Sequence, residues 1–260
     1  MNGIKIAAII PARMGSSRYP GKPLINIEGL PMIEHVRRRA LLCSGFSNVV
    51  VATCDTEIRD AVELYGGHVI MTSNKHIMAS DRVAEAMAGL DCTHVVNVQG
   101  DEILVLPEDL SEMINAISDS PDLQFWNATA PIEFKEELSD LSIVKCVLSS
   151  QKKILYCARD FSSLNLGEEF QPIHKILGVL AYRRDALLKY SGLPRTPLEM
   201  SQSIDQSRIV ENDLVLNSVQ FSSGSPGINE PREEEIVRKI LISNPRQKTI
   251  IKETLNSHEK

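Results

Sequence analysis

A loop of small residues carrying three cations follows the first apolar run of the chain. Residues 6–10 (I-A-A-I-I) predict a fully buried strand, and residues 11–24 continue as P-A-R-M-G-S-S-R-Y-P-G-K-P-L. Backbone amides beside glycine and serine can approach an anion closely, and arginine can fork onto phosphate oxygens. The loop residues suited to holding a polyphosphate are Arg13, Gly15, Ser16, Ser17, Arg18 and Lys22. From these residues alone, a basic surface loop after an edge strand is an equally good interpretation.

A carboxylate occupies a comparable place after a later apolar run. Residues 94–98 (H-V-V-N-V) predict a strand, and Gln99, Gly100 and Asp101 follow it directly. Ligands of α/β proteins bind beyond the carboxyl ends of parallel strands, and glycine lets the backbone turn sharply there. Asp101 is therefore a candidate site residue, with an ordinary loop acid as the alternative.

The elements that must position these loops alternate regularly over the first hundred residues. The predicted strands are 6–10, 48–53, 68–71 and 94–98, and the predicted helices are 31–42, 55–65 and 81–90. Strands that alternate with helices at this spacing predict an α/β fold with a doubly wound, mostly parallel sheet.

The second half of the chain is less regular. The predicted strands are 144–147, 154–156, 175–182 and 214–221, and the predicted helices are 185–190, 199–211 and 231–241. The polar tail, residues 243–260, is expected to be loose. A length of 260 residues suits a single domain with a smaller lobe.

Composition excludes several classes of protein. The formal net charge of −6 argues against a nucleic-acid partner, since such a surface repels a phosphate backbone. We expect no membrane association, because no apolar segment approaches the ~20 residues that span a bilayer and the start lacks the apolar core of a signal peptide. The five cysteines form no C-x-x-C pair, which favours reduced thiols and a cytoplasmic location.

The order of residues in the basic loop carries a family resemblance. The pattern P-A-R-x-x-S-x-R-x-P-G-K-P-L resembles the nucleotide-binding signature of the sugar-acid cytidylyltransferases. It is closest to the enzymes that load CMP onto 3-deoxy-manno-octulosonate (Kdo), the CMP-Kdo synthetases. The resemblance implies a nucleotidyltransferase fold and a homodimer formed by a smaller lobe at about residues 119–211. Arg13 and Lys22 would then be catalytic, together with Asp101.

The segment N-V-Q-G-D-E at residues 97–102 resembles a second family motif, N-x-Q-G-D-E-P. By that resemblance Asp101 is a ligand of Mg²⁺ and Gln99 faces the sugar acid. Magnesium suits this role because it prefers oxygen ligands and shares them with substrate phosphates. Where the family has a second aspartate for the metal, this chain has Asn229, an uncharged ligand, with Glu230 adjacent as the alternative.

A third segment, residues 76–82 (H-I-M-A-S-D-R), resembles the part of the family motif that surrounds the nucleotide. It makes Ser80 and Arg82 candidates for binding the cytidine. Ser80 as the N-cap of the following helix is at least as good an interpretation.

The acceptor side departs further from the family pattern. Arg159 matches the family's Y-F-S-R and could pair with a carboxylate, although an arginine at the dimer surface is a comparable alternative. Ile176, Leu180 and Gln202 stand where the family has histidine, tyrosine and glutamate. Losing polar contacts of this kind changes specificity, so the acceptor need not be Kdo itself.

The expected reaction is CMP transfer from CTP to a small acidic sugar, with release of pyrophosphate. Three interpretations remain open: a CMP-Kdo synthetase with an unusual site, a cytidylyltransferase for another acceptor such as an amino-deoxy octulosonate, and a nucleotide-binding regulator that has lost catalysis.

Overall fold

The structure is a computed structural model that describes residues 3–16, 18–164 and 172–256. Of the candidate site residues, Ser17 lies outside this described part. Among the described residues, no helix combines the length and apolar character needed to cross a membrane.

The first strand, β1 (Ile6–Ala12), is buried on both faces and lies between β4 (Asn48–Thr53) and β6 (His94–Val98), parallel to both. Its side chains alternate between two cores, with Ala8 and Ile10 on one face of the sheet and Ala7 and Ile9 on the other. A strand covered on both faces is apolar throughout, which is why the sequence run was easy to find.

The large sheet has the strand order β5-β4-β1-β6-β10-β7-β11-β9-β8, and a small hairpin pairs β2 with β3. The first four strands of this order are parallel, β7 and β11 are parallel to each other, and β10 runs antiparallel between the two groups. The remaining strands are β2 (Asn26–Ile27), β3 (Leu30–Pro31), β5 (His68–Met71), β7 (Phe125–Pro131), β8 (Lys145–Leu148), β9 (Lys153–Ala158), β10 (Ile173–Arg183) and β11 (Leu216–Gln220).

Helices cover both faces of the sheet. They are α1 (Met32–Leu41), α2 (Thr56–Leu64), α3 (Ala79–Ala88), α4 (Pro107–Asp119), α5 (Arg184–Ser191), α6 (Pro197–Gln202), α7 (Gln206–Glu211), α8 (Pro231–Ser243) and α9 (Pro245–Asn256). The core of α1, α2, α4 and α8 lies on one face, and the core of α3, α5 and α7 lies on the other. The predicted doubly wound α/β fold is confirmed.

Two sequence expectations are wrong in detail. The single helix expected at 199–211 is two short helices, because Ser203 adopts a left-handed conformation (φ 53°) that ends α6. The loose tail is helical over residues 245–256, where Ile250 and Thr254 are fully buried. Arg38 of α1 donates to the Thr254 carbonyl at 2.6 Å, which fastens α9 to α1.

Candidate functional site

The basic loop and the Asp101 loop meet at one edge of the sheet. Because β1 and β6 are parallel neighbours, the loops that leave their carboxyl ends lie side by side. At Gly100 the backbone passes so close to β1 that an added Cβ would lie 3.0 Å from the Pro11 carbonyl oxygen. A side chain would crowd this contact, so glycine suits the close approach of the two segments.

The basic loop is held in shape by hydrogen bonds to its own backbone and to one outside carboxylate. The amide of Gly21, whose φ is 75°, donates to the Met14 carbonyl at 3.0 Å. The Tyr19 amide donates to Ser16 Oγ at 3.3 Å, while Asp55 Oδ2 accepts the Met14 amide at 2.7 Å. Gly15 has open space around it. None of these hydrogen bonds, which hold the shape of the loop, uses the side chain of Arg13, Arg18 or Lys22.

Asp55 was not recognised as part of this site from the sequence. It follows the strand β4 just as Asp101 follows β6, so the same signal, a carboxylate after a parallel strand, could have identified it. Asp55 holds the N-cap position of α2, but its side chain makes no capping hydrogen bond and accepts the Met14 amide instead.

The three cations differ in what they contact. Within the described part of the chain, the exposed Arg13 side chain makes no hydrogen bond or ion pair. Arg18 donates to Asn229 Oδ1 at 3.1 Å. Lys22 Nζ lies 2.7 Å from Asp101 Oδ2 and 3.0 Å from the Ile228 carbonyl oxygen.

These loops form one end of a cleft of about 1210 Å³. The candidate site residues that line it are Arg13, Ser16, Arg18, Lys22, Arg82, Gln99, Asp101, Arg159, Gln202 and Asn229. Residues predicted separately from six segments of the chain therefore face one space, large enough for a nucleotide and a second small molecule.

The residues around Asp101 fit a divalent cation that arrives with its own ligands. In the described residues there is no cluster of three or more His, Cys, Asp or Glu side chains able to hold a metal. Asp101 and the Asn229 amide oxygen both line the cleft, which supplies one carboxylate and one neutral oxygen. Magnesium binds in this way when phosphate oxygens of a substrate complete its coordination.

Asn229 suits the metal better than its neighbour Glu230. The Glu230 side chain takes part in the capping box that begins α8 and pairs with Arg232 at 3.1 Å. Glu233 also lines the cleft, but its carboxylate accepts the backbone amides of Asn229 and Glu230. Both glutamates are thus engaged in starting the helix.

Ser80 and Arg82 project from the first turn of α3 and are buried. The alternative that Ser80 is an N-cap is wrong, because the helix begins at Ala79 and Met78 holds the cap position. Ser80 Oγ instead donates to Asp205 Oδ2 at 3.3 Å. Arg82 donates to Thr72 and, at 3.5 Å, to Cys54 Sγ.

Asp205 lines the cleft and was missed by the sequence analysis. Burial, followed by the charge of Glu199, raises the pKa of Asp205 to about 6, against an opposing effect of Arg208. Arg208 is itself bound by Glu199 at 2.5 and 2.8 Å, so it does not pair directly with Asp205. From this part of the chain only Gln202 was predicted as a site residue, and the fold shows which of the other side chains reach the cleft.

Arg159 and Gln202 form part of the opposite wall. Arg159 Nε donates to the Gln202 carbonyl at 3.0 Å and its Nη1 to the Leu141 carbonyl at 2.8 Å. Burial, and then the nearby charge of Arg18, lower the pKa of Arg159. Ile176 lines the cleft as expected, whereas Leu180 is buried in the core and does not reach it. The expected contact of position 180 with an acceptor is therefore wrong for this chain.

Glu102 connects the loop that carries Asp101 to the strand β10. Its Oε1 accepts the Gly178 amide at 2.7 Å, next to the register shift between Ile176 and Leu180. Burial and the adjacent Asp101 carboxylate raise the pKa of Glu102 to about 7. The sequence placed Glu102 beside Asp101 but gave no sign of its partner, which is 76 residues away.

A basic loop, a carboxylate and a large cleft at the carboxyl edge of a parallel sheet together define a nucleotide-binding α/β protein of the nucleotidyltransferase kind. Residues 7–219 match the family model described as Cytidylyltransferase. The chain belongs to the cytidylyltransferase family, as the sequence motifs predicted.

Relatives with stated activities match over most of their length. A 3-deoxy-manno-octulosonate cytidylyltransferase of Escherichia coli is 36% identical over 237 residues, 91% of this chain and 96% of that protein. An 8-amino-3,8-dideoxy-manno-octulosonate cytidylyltransferase of Shewanella sediminis is 37% identical over 243 residues, 92% of this chain and 99% of that protein. The solved structure of CMP:2-keto-3-deoxy-manno-octonic acid synthetase complexed with CTP superposes with a TM-score of 0.86 at 36% identity, covering 92% of this chain and 98% of that one.

Proposed function

We propose that this protein transfers CMP from CTP to a 3-deoxy-ulosonic acid of the Kdo type and releases pyrophosphate. The observation that carries the proposal is the meeting of Lys22 and Asp101 at the junction of two loops, 2.7 Å apart, in a cleft also lined by Arg13 and Arg18. The names of the relatives, and the CTP bound in the similar solved structure, support the same reaction.

In this reaction a hydroxyl oxygen of the acceptor attacks the α-phosphorus of CTP. A new phosphorus–oxygen bond forms, the bond to the β-phosphate oxygen breaks, pyrophosphate takes up the electron pair, and the hydroxyl proton is released. The chain needs no covalent nucleophile, since its work is to hold the reactants in line and to neutralise growing charge. Arg13, Arg18 and Lys22 grip the triphosphate, and Gln99 and Arg159 orient the acceptor.

Magnesium is part of the proposal, held by Asp101 and Asn229 together with phosphate oxygens. When bound, the ion supplies charge neutralisation across the phosphates and orients the α-phosphate. Asn229 contributes no charge, so most of the metal's protein-side attraction comes from Asp101.

The acceptor remains a choice between two related acids. The relatives include enzymes for Kdo and for its 8-amino derivative at almost equal identity. Ile176 stands at the cleft where the family has a histidine, and the carboxylate of Asp205, which also lines the cleft, is not directly paired with a cation that an ammonium group would have to displace. An amino-deoxy acceptor is the second candidate on that observation.

A homodimer is also proposed. Exposed apolar side chains occur in the predicted smaller lobe, where Leu155 and Tyr156 of β9 are about half exposed and Leu141 and Phe134 more so. Large apolar side chains left exposed favour a protein–protein contact. Light scattering after gel filtration tests it, and a monomer at micromolar concentration contradicts it. The cytoplasmic location stays a prediction.

The function is tested by incubating the protein with CTP, Mg²⁺ and either Kdo or its 8-amino derivative, and measuring pyrophosphate. Pyrophosphate release with Kdo identifies a CMP-Kdo synthetase. Pyrophosphate release with the 8-amino derivative but not with Kdo identifies the second candidate. CTP binding without turnover identifies a regulator that has lost catalysis. Lys22→Ala and Asp101→Ala should each lower turnover by ~10²-fold or more. Near-normal turnover by either variant contradicts the assignment.

A further inference from the structure

The ammonium group of Lys22 is bound by two oxygen atoms of the protein. Its Nζ lies 2.7 Å from the Asp101 carboxylate and 3.0 Å from the Ile228 carbonyl oxygen. The two side chains are only 14% and 17% exposed, so solvent screens their attraction weakly. Both acceptors are hard oxygen ligands of the kind that magnesium prefers.

Charge counting shows that this pair leaves little attraction for a second cation. Asp101 brings one negative charge and Asn229 none, and the Asn229 oxygen already accepts from Arg18 at 3.1 Å. Lys22 and Asp101 neutralise each other, and Arg18 and Arg13 add positive charge at the cleft. The two other carboxylates beside them, Glu102 and Glu233, are held by backbone amides. A metal ion alone would meet repulsion rather than a ready ligand set.

A triphosphate changes this balance. Lys22 belongs to the loop that faces the phosphates, so an incoming anion attracts its ammonium away from Asp101. That movement would leave Asp101 as an unpaired carboxylate beside phosphate oxygens, an arrangement that repels the nucleotide unless a cation takes the vacated place.

Resting on the proposed function, we infer that Lys22 and a divalent cation alternate as the counter-ion of Asp101, with the triphosphate driving the exchange. Nucleotide and metal therefore bind interdependently, and the metal does not bind alone. The pair prevents the cleft from holding Mg²⁺ in the absence of nucleotide.

This exchange predicts that Asp101 weakens CTP binding when metal is absent and strengthens it when metal is present. In Asp101→Asn the charge that repels a metal-free triphosphate is gone and Lys22 is free from the start. CTP without metal should therefore bind about tenfold more tightly to the variant than to the unaltered protein. With Mg²⁺ present the variant should bind about tenfold less tightly, because the ligand of the ion is lost.

Calorimetric titration of CTP, once with a chelator and once with Mg²⁺, measures both effects on the full chain. Asp185→Asn is the matched control, since it removes an aspartate of an ion pair far from the cleft and should change neither affinity. Weaker binding by Asp101→Asn under both conditions overturns the inference while leaving the proposed function intact.

A second measurement does not depend on the nucleotide. Binding of Mn²⁺ alone, followed by electron paramagnetic resonance, should be about tenfold tighter to Lys22→Met than to the unaltered protein. The double variant with Asp101→Asn should lose this gain. Tight Mn²⁺ binding by the unaltered protein, or no gain in Lys22→Met, overturns the exchange. Failure of CTP to bind under any condition would instead contradict the proposed function.

Discussion

The two walls of the cleft differ in how their charged groups are satisfied. On the wall formed by the basic loop, Arg13 has no side-chain partner in the described residues and Lys22 has one that a ligand can replace. On the opposite wall, Arg159 donates to two backbone carbonyls, and Lys175 pairs with Glu137 at 2.8 Å. The cations of the basic-loop wall are available to an anionic ligand, whereas the charged groups of the opposite wall already have partners within the protein.

This difference indicates how each wall recognises its ligand. Free guanidinium and ammonium groups bind phosphate through charge and tolerate variation in the rest of the molecule. A wall whose polar groups are satisfied internally selects by shape, because a new hydrogen bond there must replace an existing one. We therefore expect substitutions on the first wall to affect CTP and those on the second to affect the acceptor.

The largest expected effect is that of Arg13→Ala. Since Arg13 has no internal role in the described structure, its loss should leave the melting temperature unchanged and lower kcat/KM for CTP by about 10²–10³-fold. Arg59→Ala, which removes an exposed arginine paired with Asp60, is the control. Steady-state kinetics with normal CTP turnover by Arg13→Ala would remove the contrast between the walls.

Arg159→Met should act on the acceptor. It deprives the Gln202 and Leu141 carbonyls of a charged donor, which we expect to raise the KM for the acceptor by roughly 10²-fold. The KM for CTP should stay unchanged. Lys153→Met, on the strand β9 that ends just before Arg159, is the matched control. An increase in the KM for CTP alone would place Arg159 on the wrong wall.

Asp205→Asn should change the pH dependence of stability. The raised pKa of about 6 means that the folded protein keeps a proton which the unfolded chain loses above its ordinary value of 3.8. The unaltered protein therefore loses stability as pH rises through this window, and the variant does not. The advantage of the variant in unfolding free energy should grow by about 3 kcal/mol between acidic and neutral pH.

Thermal unfolding at several pH values measures this effect. Asp185→Asn is a control of opposite sign, because the hydrogen bond from Arg183 lowers the pKa of Asp185 and its charged form stabilises the fold. A pH-independent difference for Asp205→Asn would show that its carboxylate is not buried as described.

Gly178→Ala should have the smallest effect. The added Cβ would lie 2.5 Å from Glu102 Oε1 and 3.1 Å from the Gln99 side chain, so both must shift. We expect kcat/KM for the acceptor to fall about tenfold while CTP affinity is kept, since a displaced contact of this kind is worth roughly 1.4 kcal/mol. In Gly192→Ala the new atom meets only ordinary contacts, so this control should be active.

The first half of the fold could be predicted from the sequence because its central strands β1, β4 and β6 are largely buried, and the more exposed edge strand β5 is still an apolar run. Residues 48–53, 68–71 and 94–98 have the same bounds in the structure as in the prediction. The strand β7 escaped notice because it contains the buried polar residues Asn127 and Thr129. Asn127 is stabilised there by a 2.8 Å hydrogen bond from Gln206, a partner that hydropathy does not reveal.

The helix α4 could have been found. Its buried residues Leu110, Met113 and Ile117 have helical spacing, and Pro107 and acidic residues mark its first turn. The tail was misjudged for a different reason. Much of the surface that α9 buries is polar, and Gln247 is fastened to the Leu104 carbonyl at 2.8 Å.

For the site, the loop residues were predictable and their partners were not. Motif order identified Arg13, Lys22 and Asp101, which the fold brings into one cleft. The bond of Asp55 to Met14, and that of Glu102 to Gly178, join segments 41 and 76 residues apart. Such pairings depend on strand order, which local pattern does not specify.

The contact between Gly100 and the Pro11 carbonyl has a consequence for how this enzyme family can diversify. The spacing between the basic loop and the Asp101 loop is set where the backbone at Gly100 meets the Pro11 carbonyl. Substitutions on the opposite wall of the cleft can therefore accumulate without altering that spacing. The acceptor preference can therefore change in evolution while the spacing of the two loops proposed to bind CTP stays the same.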